Sequence, residues 1–535
     1  MHVGYVSDEH YVALSGVDIE FERRGELVTT ARSTATGRIN ASIEPGRYVI
    51  TLRKKGYTPS QQALDIDGEH RVQFRLMPRE LLGYASPIAV RSGEQGTYHI
   101  NAPEETQVSL WRYGERKERI RLLDWHGEHG PGATAQMLPT GDIAQHGVDW
   151  RSKNPSSAVH RETLRAPGRS GLYYIHLRAK RSGAFFSFPW VVAPAAPNER
   201  LAVLASTMTW NAYNNFGGRS NYVAPDALPE RPIVDPHKEL RRYRPGEGPY
   251  DPPNDAYRPL SYRRPSRQLH VPEEVRATDP VAGRNESHLA PAEWRFLAWL
   301  EREGFGYDLY ADDQLHDATL DLDAYDTLLI HTHPEYWTRE MYDRVKNWVH
   351  DRGGNLVYFG GNGINCAVEV VDEHRLRYLT HDGDVTNSGG RAGPGDESRF
   401  DAVHESEANL LGVVYTETGI MSAAPYEVID DTHWAVADTG LAAGDRFGME
   451  TLQERCAGGA SGHETDKRSE ASPATTELIA RGCNSDEGGA EMVSYDTDSG
   501  GEVFSVGSIT FPLSLLVDEE CSRVAKNVLD RFLTE

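Results

Sequence analysis

Hydrophobic and polar residues alternate in short segments through the first part of the chain, a pattern typical of strands in antiparallel sheets. The segments Val17–Phe21, Tyr48–Leu52 and Val72–Leu76 are separated by turn residues such as Pro45-Gly46. Strands of this length, with regularly spaced turns, are characteristic of small sandwiches. We therefore predict an antiparallel β-sandwich over residues 1–80.

A second region with the same alternation follows. Its clearest segments are Thr106–Tyr113, Gly171–Leu177 and Phe186–Val192, and the Pro/Ala-rich segment Ala193–Asn198 comes after them. Segments rich in proline and alanine are typical of linkers between domains. The pattern predicts a second β-sandwich over residues 81–197.

From Leu201 onward, continuous apolar runs alternate with amphipathic helical patterns. Such runs are typical of strands buried on both faces of a parallel sheet. The expected strands and helices are strand 201–205, helix 291–303, strand 307–310, strand 327–330, helix 338–350, strand 355–359, strand 502–506 and helix 519–533. This order predicts a doubly wound α/β domain over residues 198–535. The predicted fold is thus multidomain, with two N-terminal β-sandwiches followed by this α/β domain.

Three stretches in the last region have no such pattern. Residues 212–285 are rich in Pro, Tyr, Arg and Asp, and a loop of this length with many aromatic residues predicts an ordered active-site loop. Two acidic, glycine-rich stretches, near 380–400 and 456–475, are predicted to be exposed loops or insertions.

The richest concentration of reactive side chains is the sequence His331-Thr332-His333-Pro334-Glu335-Tyr336-Trp337, directly after the apolar strand 327–330. The carboxyl ends of strands in α/β sheets are where ligands and catalytic groups collect. Imidazole, carboxylate and phenolate are all common metal ligands. The simpler interpretation is a polar turn in which Thr338 or Glu335 caps the next helix, and the segment alone favours catalysis only slightly.

Charge and cysteine content narrow the classes of function. The 535 residues carry a formal net charge of −24 with four cysteines, none of them in a Cys-x-x-Cys motif. An acidic surface argues against a nucleic-acid-binding protein and indicates salt adaptation. Scattered cysteines argue against a disulfide framework or a zinc–thiolate site. With neither a long apolar run nor a signal-peptide pattern after Met1, we expect a cytoplasmic protein without membrane segments.

Five segments together resemble the large (beta) subunit of N,N-dimethylformamidase. They are Thr209–Asn214, Tyr250-Asp251 with Tyr262–Pro265, His333–Trp337, Gly462–Asp466 and Val506–Thr510. The resemblance covers roughly residues 200–535, and His333–Trp337 is its most specific part. The preceding β-region, with Leu110–Gly114, also fits. Residues 1–80 are similar to the carboxypeptidase regulatory-like, transthyretin-like module.

The resemblance implies a glutamine-amidotransferase-like α/β domain and a mononuclear iron site of the Fe(III) type. By motif, Glu335 is the carboxylate ligand and Tyr213 one tyrosine ligand, with Tyr250 chosen as the second. His333 is the neighbouring acid/base and Glu464 the distal catalytic glutamate. The implied reaction is hydrolysis of a small, formamide-like N-substituted amide by a metal-activated water.

Several alternatives stay open. Tyr222, Tyr257 and Tyr262 compete with Tyr250 for the second tyrosine position, and His333 could itself be a ligand. Without the resemblance, Tyr213 and each loop tyrosine would be read as packing residues. Glu464 and His463 would be read as surface residues, and His331 as a buried hydrogen-bonded histidine. The partners expected are the amide substrate, a small partner subunit as in the family, and a second copy in a homodimer.

Two other functions compete with the metal hydrolase. A thiol hydrolase of the class I glutamine-amidotransferase type would use Cys366, which follows the strand 355–359 without a Gly-x-Cys-x-Gly elbow. A non-catalytic carbohydrate- or surface-binding protein would use the many Trp and Tyr residues on the two sandwiches. The intact His333–Trp337 segment argues against this second alternative.

Overall fold

The computed structural model describes residues 1–126, 138–150, 159–235, 254–379, 397–416, 418–485 and 488–534. Its first part contains a three-stranded sheet of order β4-β1-β7 and a four-stranded sheet of order β3-β2-β5-β6. Side chains from both sheets form one buried cluster between Val3 and Leu76. The strands are β1 (His2–Ser7), β2 (Asp18–Arg23), β3 (Glu26–Arg32), β4 (Arg38–Asn40), β5 (Gly46–Arg53), β6 (Ser60–Ile66) and β7 (Val72–Arg75).

The second part is also built from two sheets, of orders β13-β10-β8 and β12-β11-β14-β15-β9. Its buried cluster runs from Met77 to Phe216 and includes side chains of both sheets. Its elements are β8 (Leu82–Ser86), β9 (Ala89–Arg91), β10 (Gln95–Asn101), β11 (Thr106–Tyr113), β12 (Lys117–His126), α1 (Ile143–His146), β13 (Val159–Arg165), β14 (Gly171–Ala179) and β15 (Phe185–Ala193). The structure is therefore multidomain and β-rich in its N-terminal part, as the alternation predicts. The expectation of purely antiparallel pairing is wrong, because β1 pairs in parallel with β7, and in the second part β15 pairs in parallel with β9.

The last part contains most of the helices and a mixed sheet. Its strands are β16 (Leu201–Ala205), β17 (Leu260–Ser261), β18 (Asp308–Ala311), β19 (Thr327–Thr332), β20 (Tyr336–Trp337), β21 (Asn355–Gly360), β22 (Cys366–Asp372), β23 (Arg375–Leu379), β24 (Val414–Thr416), β25 (Ala423–Ala424), β26 (Tyr426–Val428), β27 (Arg446–Phe447), β28 (Ser461–Gly462), β29 (Thr465–Lys467), β30 (Glu477–Gly482), β31 (Glu491–Asp496) and β32 (Glu502–Ser505). The largest sheet has the order β18-β16-β19-β21-β32-β31-β30-β26-β27. Strands β18, β16, β19, β21 and β32 pair in parallel, and the remaining four pair antiparallel.

Three of the helix ends in this part have a clear local cause. Thr338 accepts a hydrogen bond from the backbone N–H of Met341 and begins one helix, while Gly304 and Gly353, with φ of 85° and 76°, end two of them. The helices are α2 (Thr207–Tyr213), α3 (Arg284–His288), α4 (Ala290–Glu303), α5 (Asp312–His316), α6 (Arg339–Arg352), α7 (Ala408–Leu411), α8 (Phe511–Ser514) and α9 (Glu519–Leu533). Short 3₁₀ turns occupy Asn254–Ala256, Arg267–Leu269, Leu322–Ala324 and Trp434–Val436.

The parallel strands and long helices lie within one or two residues of their predicted positions, but one predicted loop is wrong. Residues 460–466 are buried, and they contribute β28 and the start of β29. The stretch near 456–475 is therefore not a simple exposed insertion. Most of the other acidic stretch, near 380–400, lies outside the described residues. The domain boundaries and the glutamine-amidotransferase-like assignment stay predictions.

Within the described ranges, we find no helix with both the length and the apolar character needed to cross a membrane.

One buried carboxyl group gives a test of this core. Glu293 on α4 is 1% exposed, and its Oε1 accepts a hydrogen bond from Trp210 Nε1 at 2.7 Å. Burial raises the pKa of Glu293 from 4.5 to about 8. The folded protein holds the proton that the unfolded chain loses near pH 4.5, so this group makes the free energy of unfolding fall as pH rises from about 4.5 to 8.

We expect Glu293→Gln to reduce that pH-dependent loss, because glutamine keeps the acceptor oxygen and cannot ionise. Urea unfolding of wild type and variant at pH 5 and pH 8 measures it. Glu340→Gln, an exposed change on α6, is the control and should unfold like wild type. If the free energy of unfolding fell equally in wild type and Glu293→Gln between pH 5 and pH 8, Glu293 would not be the source of this pH dependence.

Candidate active site at the carboxyl ends of the parallel strands

The site lies where the central parallel strands end. β16 and β19 are in register with Leu204 opposite Ile330, and β19 and β21 with Thr332 opposite Gly360. Because these strands point the same way, their carboxyl ends meet at one edge of the sheet. That edge receives α2 after β16, residues 333–335 after β19, and residues 361–365 after β21.

Two phenol groups meet on a single carboxylate oxygen at this edge. Glu335 Oε2 accepts hydrogen bonds from Tyr222 Oη at 2.8 Å and from Tyr213 Oη at 3.3 Å. The Tyr222 hydroxyl also lies 2.7 Å from that of Tyr336, which accepts a hydrogen bond from Asn221. Glu335 is 4% exposed and Tyr213 8%, so three oxygen donors converge in a nearly enclosed place.

An imidazole and a second carboxylate lie directly beside this group. His333 Nε2 is 3.3 Å from Glu335 Oε2 and 3.4 Å from Glu464 Oε2. Asn362 donates a hydrogen bond from Nδ2 to Glu464 Oε2 at 2.8 Å. His333 is fully buried, while Glu464 is 9% exposed. The imidazole therefore connects the oxygen cluster to the Glu464 carboxylate, which keeps limited access to solvent.

Helix α3 contributes a second imidazole. The ring of His288 lies 5.0 Å from that of His333 and 4.4 Å from that of His463. Its Nδ1 is 2.7 Å from the carbonyl oxygen of Arg284, so Nδ1 carries the proton and Nε2 presents a lone pair. That Nε2 is buried and has no hydrogen-bond partner among the described residues. His288, His333 and Glu464 offer ligand atoms within 4.8 Å of one another, a second set of donors for a metal ion.

Backbone strain collects around the same edge. Thr332, Asn362 and Ile364 adopt left-handed backbone conformations, with φ of 62°, 52° and 54°. Such conformations are unfavourable for residues other than glycine and are often found at functional sites. Here they flank His333 and place Asn362 against Glu464.

The protonation of these groups follows from burial and from their neighbours. Burial raises the pKa of Tyr213 and of Tyr222 well above 10, and the Glu335 carboxylate adds to both shifts. Burial opposes ionisation of Glu464, but hydrogen bonding to His333 and the charge of that ring lower its pKa well below 4.5. Burial lowers the pKa of His288 well below 6.5. The site thus presents a carboxylate at Glu464 and a neutral imidazole at His288.

Four of the five residues chosen from the sequence come together here: Tyr213, His333, Glu335 and Glu464. The fifth, Tyr250, lies outside the described residues. Among its competitors, Tyr222 contacts Glu335, whereas Tyr262 directs its hydroxyl to Asp313 at 3.4 Å and Tyr257 is buried. Tyr222 is therefore the described loop tyrosine that shares Glu335 with Tyr213.

His331 was expected to be an interior histidine and His463 a surface histidine, and the structure agrees with only the first expectation. His331 is fully buried, with Nδ1 3.1 Å from Thr332 Oγ1, as expected of a hydrogen-bonded interior histidine. The interpretation of His463 as a surface residue is wrong, because it is 1% exposed. Burial lowers the pKa of His463 to about 4.

Three residues of the site are not among those predicted from the sequence: His288, Arg284 and Asn362. His288 and Arg284 lie one turn apart on the short helix α3, inside the long stretch expected to be a loop. Asn362 follows β21, where the motif Gly360-Gly361-Asn362-Gly363 is visible in the sequence. Polar residues after a parallel strand were the usable signal for Asn362, and α3 offered no comparable one.

Cys366, the candidate of the thiol alternative, is not placed as a nucleophile. It is the first residue of β22, is fully buried, and pairs with Tyr336 of β20. A reactive thiolate needs partial exposure and an electropositive neighbour. The thiol hydrolase is therefore not favoured.

Comparison with known proteins is consistent with the sequence motifs. Residues 111–523 match the family described as N,N-dimethylformamidase beta subunit-like, C-terminal. The chain is 24% identical over 422 residues to the N,N-dimethylformamidase beta subunit of Alcaligenes sp, covering 69% of this chain and 53% of that protein. The beta subunit from Paracoccus aminophilus is 25% identical over 422 residues, with the same coverage of each chain. The chain thus spans about half the length of these relatives.

Solved structures add nothing to this comparison. A glycosyl hydrolase family 2 member from Bacteroides cellulosilyticus has a TM-score of 0.15 and 10% identity, covering 33% of this chain and 21% of that one. That score is too low to bear on the fold.

Proposed function

Because this chain belongs to the N,N-dimethylformamidase beta subunit-like, C-terminal family, we propose that it is an iron-dependent amidohydrolase acting on a small N-substituted amide. The reaction would cleave the C–N bond of a formamide-like substrate. The observation that carries the proposal is the meeting of Tyr213 and Tyr222 on Glu335 Oε2, beside His333 and Glu464.

The donor set fits a trivalent iron. Two phenol oxygens and one carboxylate oxygen are hard donors, and hard donors prefer Fe(III) to softer ions. We propose Tyr213, Tyr222 and Glu335 as the residues that would hold it, with Tyr250 remaining a prediction outside the described residues. When bound, iron would polarise the substrate carbonyl and lower the pKa of a bound water.

Glu464 and His333 would transfer the protons that the hydrolysis requires. Hydrolysis of an amide adds the water oxygen to the carbonyl carbon and needs one proton on the departing nitrogen. Glu464, as a carboxylate, is suited to accept a proton from the attacking water. His333 Nε2, within 3.4 Å of Glu464, is suited to pass a proton to the amine. Asn362 would keep Glu464 oriented through its hydrogen bond.

Metal analysis of the purified full chain in high salt, with its visible spectrum and an assay of formate released from N-methylformamide, tests the proposal. We expect about one iron per chain and a broad tyrosinate-to-Fe(III) absorption, as the phenolate donors require. A chain that takes up no iron on reconstitution would contradict iron dependence. A chain that holds iron but hydrolyses no formamide would contradict the proposed reaction.

Tyr222→Phe identifies the second tyrosine. We expect the variant to bind iron at least about tenfold more weakly and to lose part of the tyrosinate absorption, because one of the three anionic donors is gone. Tyr262→Phe is the matched control, since that hydroxyl contacts Asp313 instead. If Tyr250→Phe lost the absorption and Tyr222→Phe kept it, Tyr250 would be the ligand and this assignment would be wrong.

The imidazole donor set gives a second candidate position for the metal. His288, His333 and Glu464 could hold an ion, and the lone pair of His288 Nε2 has no partner among the described residues. His288→Ala distinguishes the two positions. Loss of iron in His288→Ala, with iron kept in Tyr213→Phe, would place the metal among the imidazoles.

Family membership supports two further proposals. The five parallel strands of the largest sheet are compatible with a doubly wound, glutamine-amidotransferase-like domain. Both curated relatives are named as beta subunits, so we infer that a small partner subunit can join this chain. The molar mass in solution of the protein purified from its native host tests for that partner and for a homodimer.

A further inference from the structure

Two arginines stand beside the site, and the proposed reaction gives neither a role. Arg284 begins α3, and its guanidinium carbon lies 5.3 Å from the ring centroid of Tyr213 and 5.5 Å from that of Tyr222. Arg455 places Nη1 3.4 Å from His463 Nε2. His463 in turn stacks edge-on against His288 at 4.4 Å. The two arginines therefore flank the face of the site formed by Tyr213, His288 and His463.

Neither guanidinium is in direct contact with a carboxylate among the described residues. In the described ranges, neither residue forms an ion pair, and the second contact of Arg455 is from Nη2 to the Met421 sulfur at 3.3 Å. A thioether and a ring nitrogen are weak partners for a cation. Arg264, by contrast, donates to four backbone carbonyls and to Asn211 Oδ1. In a chain of net charge −24, two arginines beside one site that form no ion pair among the described residues are an unusual feature.

The two charges also act on each other. Burial lowers the pKa of Arg455, and the positive charge of Arg284 is the next largest cause. Like charges brought together in this way are stabilised by a shared anion. Arg284 is exposed and Arg455 half-buried, whereas His333 and His288 are fully buried. The anion would therefore bind at the outer side of the site, with the reacting groups deeper.

The charge balance at the proposed site also favours an anionic substrate group. A trivalent ion would be balanced by two phenolates and the Glu335 carboxylate, and Glu464 would balance only one of the two arginines. One positive charge is left for the substrate. A planar guanidinium binds a carboxylate with two parallel hydrogen bonds, so a carboxylate is the anion that this pair fits best.

We propose that the substrate is an amide whose nitrogen substituent carries a carboxylate, such as an N-formyl amino acid, and that Arg284 and Arg455 bind that carboxylate. This inference rests on the proposed function, because it names the substrate of the same site. A formyl group has no room for a second functional group, so in a formamide the carboxylate must be on the nitrogen substituent.

The test compares two probes that differ at one group, N-formylglycine and N-formylglycinamide, with the full chain at one fixed salt concentration. Hydrogen bonds to charged groups contribute about 1.5–3 kcal/mol, which corresponds to roughly 10- to 150-fold. We expect kcat/KM for formate release, and affinity measured by calorimetry, to favour N-formylglycine by at least about tenfold. Equal or weaker binding and turnover of N-formylglycine would overturn the inference.

Variants assign the preference to the two arginines. In Arg284→Gln and Arg455→Gln we expect the ratio of kcat/KM for N-formylglycine to that for N-formylglycinamide to fall to within about threefold of one. We expect Arg284→Lys to keep part of the wild-type preference for N-formylglycine. Arg47→Gln, an exposed change in the first sandwich, controls for the loss of one charge. An unchanged ratio in both glutamine variants would overturn the role of this pair.

The same experiment separates the two proposals. If no amide releases formate, the hydrolase proposal fails, and the calorimetric ratio still decides whether the arginine pair binds a carboxylate. If N-formylglycinamide and N-methylformamide are hydrolysed and N-formylglycine is not preferred, the hydrolase proposal stands and the carboxylate inference fails.

Discussion

Replacing Glu335 with alanine is expected to remove the metal from the protein and abolish amide hydrolysis. Glu335 Oε2 is the atom on which Tyr213, Tyr222 and His333 converge, at 3.3, 2.8 and 3.3 Å. Loss of a residue that only orients a ligand already weakens metal affinity by 10- to 100-fold, so loss of the carboxylate ligand should cost more than about 100-fold. Iron content, the tyrosinate absorption and formate release should disappear together.

Glu340→Ala is the matched control for this prediction. Glu340 is five residues further along, in the first turn of α6, and its side chain is exposed. We expect this variant to keep iron and activity. Circular dichroism and thermal unfolding would establish that Glu335→Ala is folded before its metal content is read. If folded Glu335→Ala kept one iron per chain and the wild-type rate, the proposed site would be wrong.

The sequence was sufficient for the elements whose hydrophobic pattern is long and regular. β19, α6 and α9 are found where the pattern placed them, since a continuous apolar run or a clear amphipathic face leaves little choice of structure. His333 and Glu335 were identifiable because they directly follow such a strand. Short helices such as α3 have too few residues to show a period, so Arg284 and His288 could not be found in this way.

The stretch around Glu464 was misread for a different reason. Its glycines suggested an exposed loop, but they are required by close packing of the backbone. A Cβ at Gly462 would lie 2.6 Å from the carbonyl oxygen of Ser422, and one at Gly459 would lie 2.6 Å from that of Ala424. Glycine content alone cannot distinguish a solvated turn from two backbone segments in close contact, because both require a residue that has no Cβ.

The sequence also could not show which tyrosine of the long loop contacts Glu335 together with Tyr213. Tyr222 is nine positions after Tyr213, in a stretch with several other tyrosines. Its approach to Glu335 depends on where the loop after α2 crosses the end of β19. The hydrogen bonds from Asn221 to Tyr336 and between Tyr222 and Tyr336 fix that crossing, and both join residues more than 100 positions apart in sequence.

His333→Ala is expected to separate chemistry from metal binding. His333 Nε2 lies between Glu335 and Glu464, so removing the ring should leave the three oxygen donors in place and remove the group that passes a proton to the amine. General acid–base catalysis contributes about 10²- to 10⁴-fold, and we expect kcat to fall by that factor. Iron content and the tyrosinate absorption should remain near wild type.

Two measurements, the pH profile of kcat and the iron content, decide the role of His333. The pH profile of kcat should lose one limb in His333→Ala, which a purely structural role would not cause. His70→Ala, at an exposed position in the first sandwich, is the control for loss of an imidazole and should keep both limbs. If His333→Ala lost iron while His288→Ala lost it too, both imidazoles would be ligands. In that case the proton would have to reach the amine from Glu464, the remaining acid/base group in contact with His333.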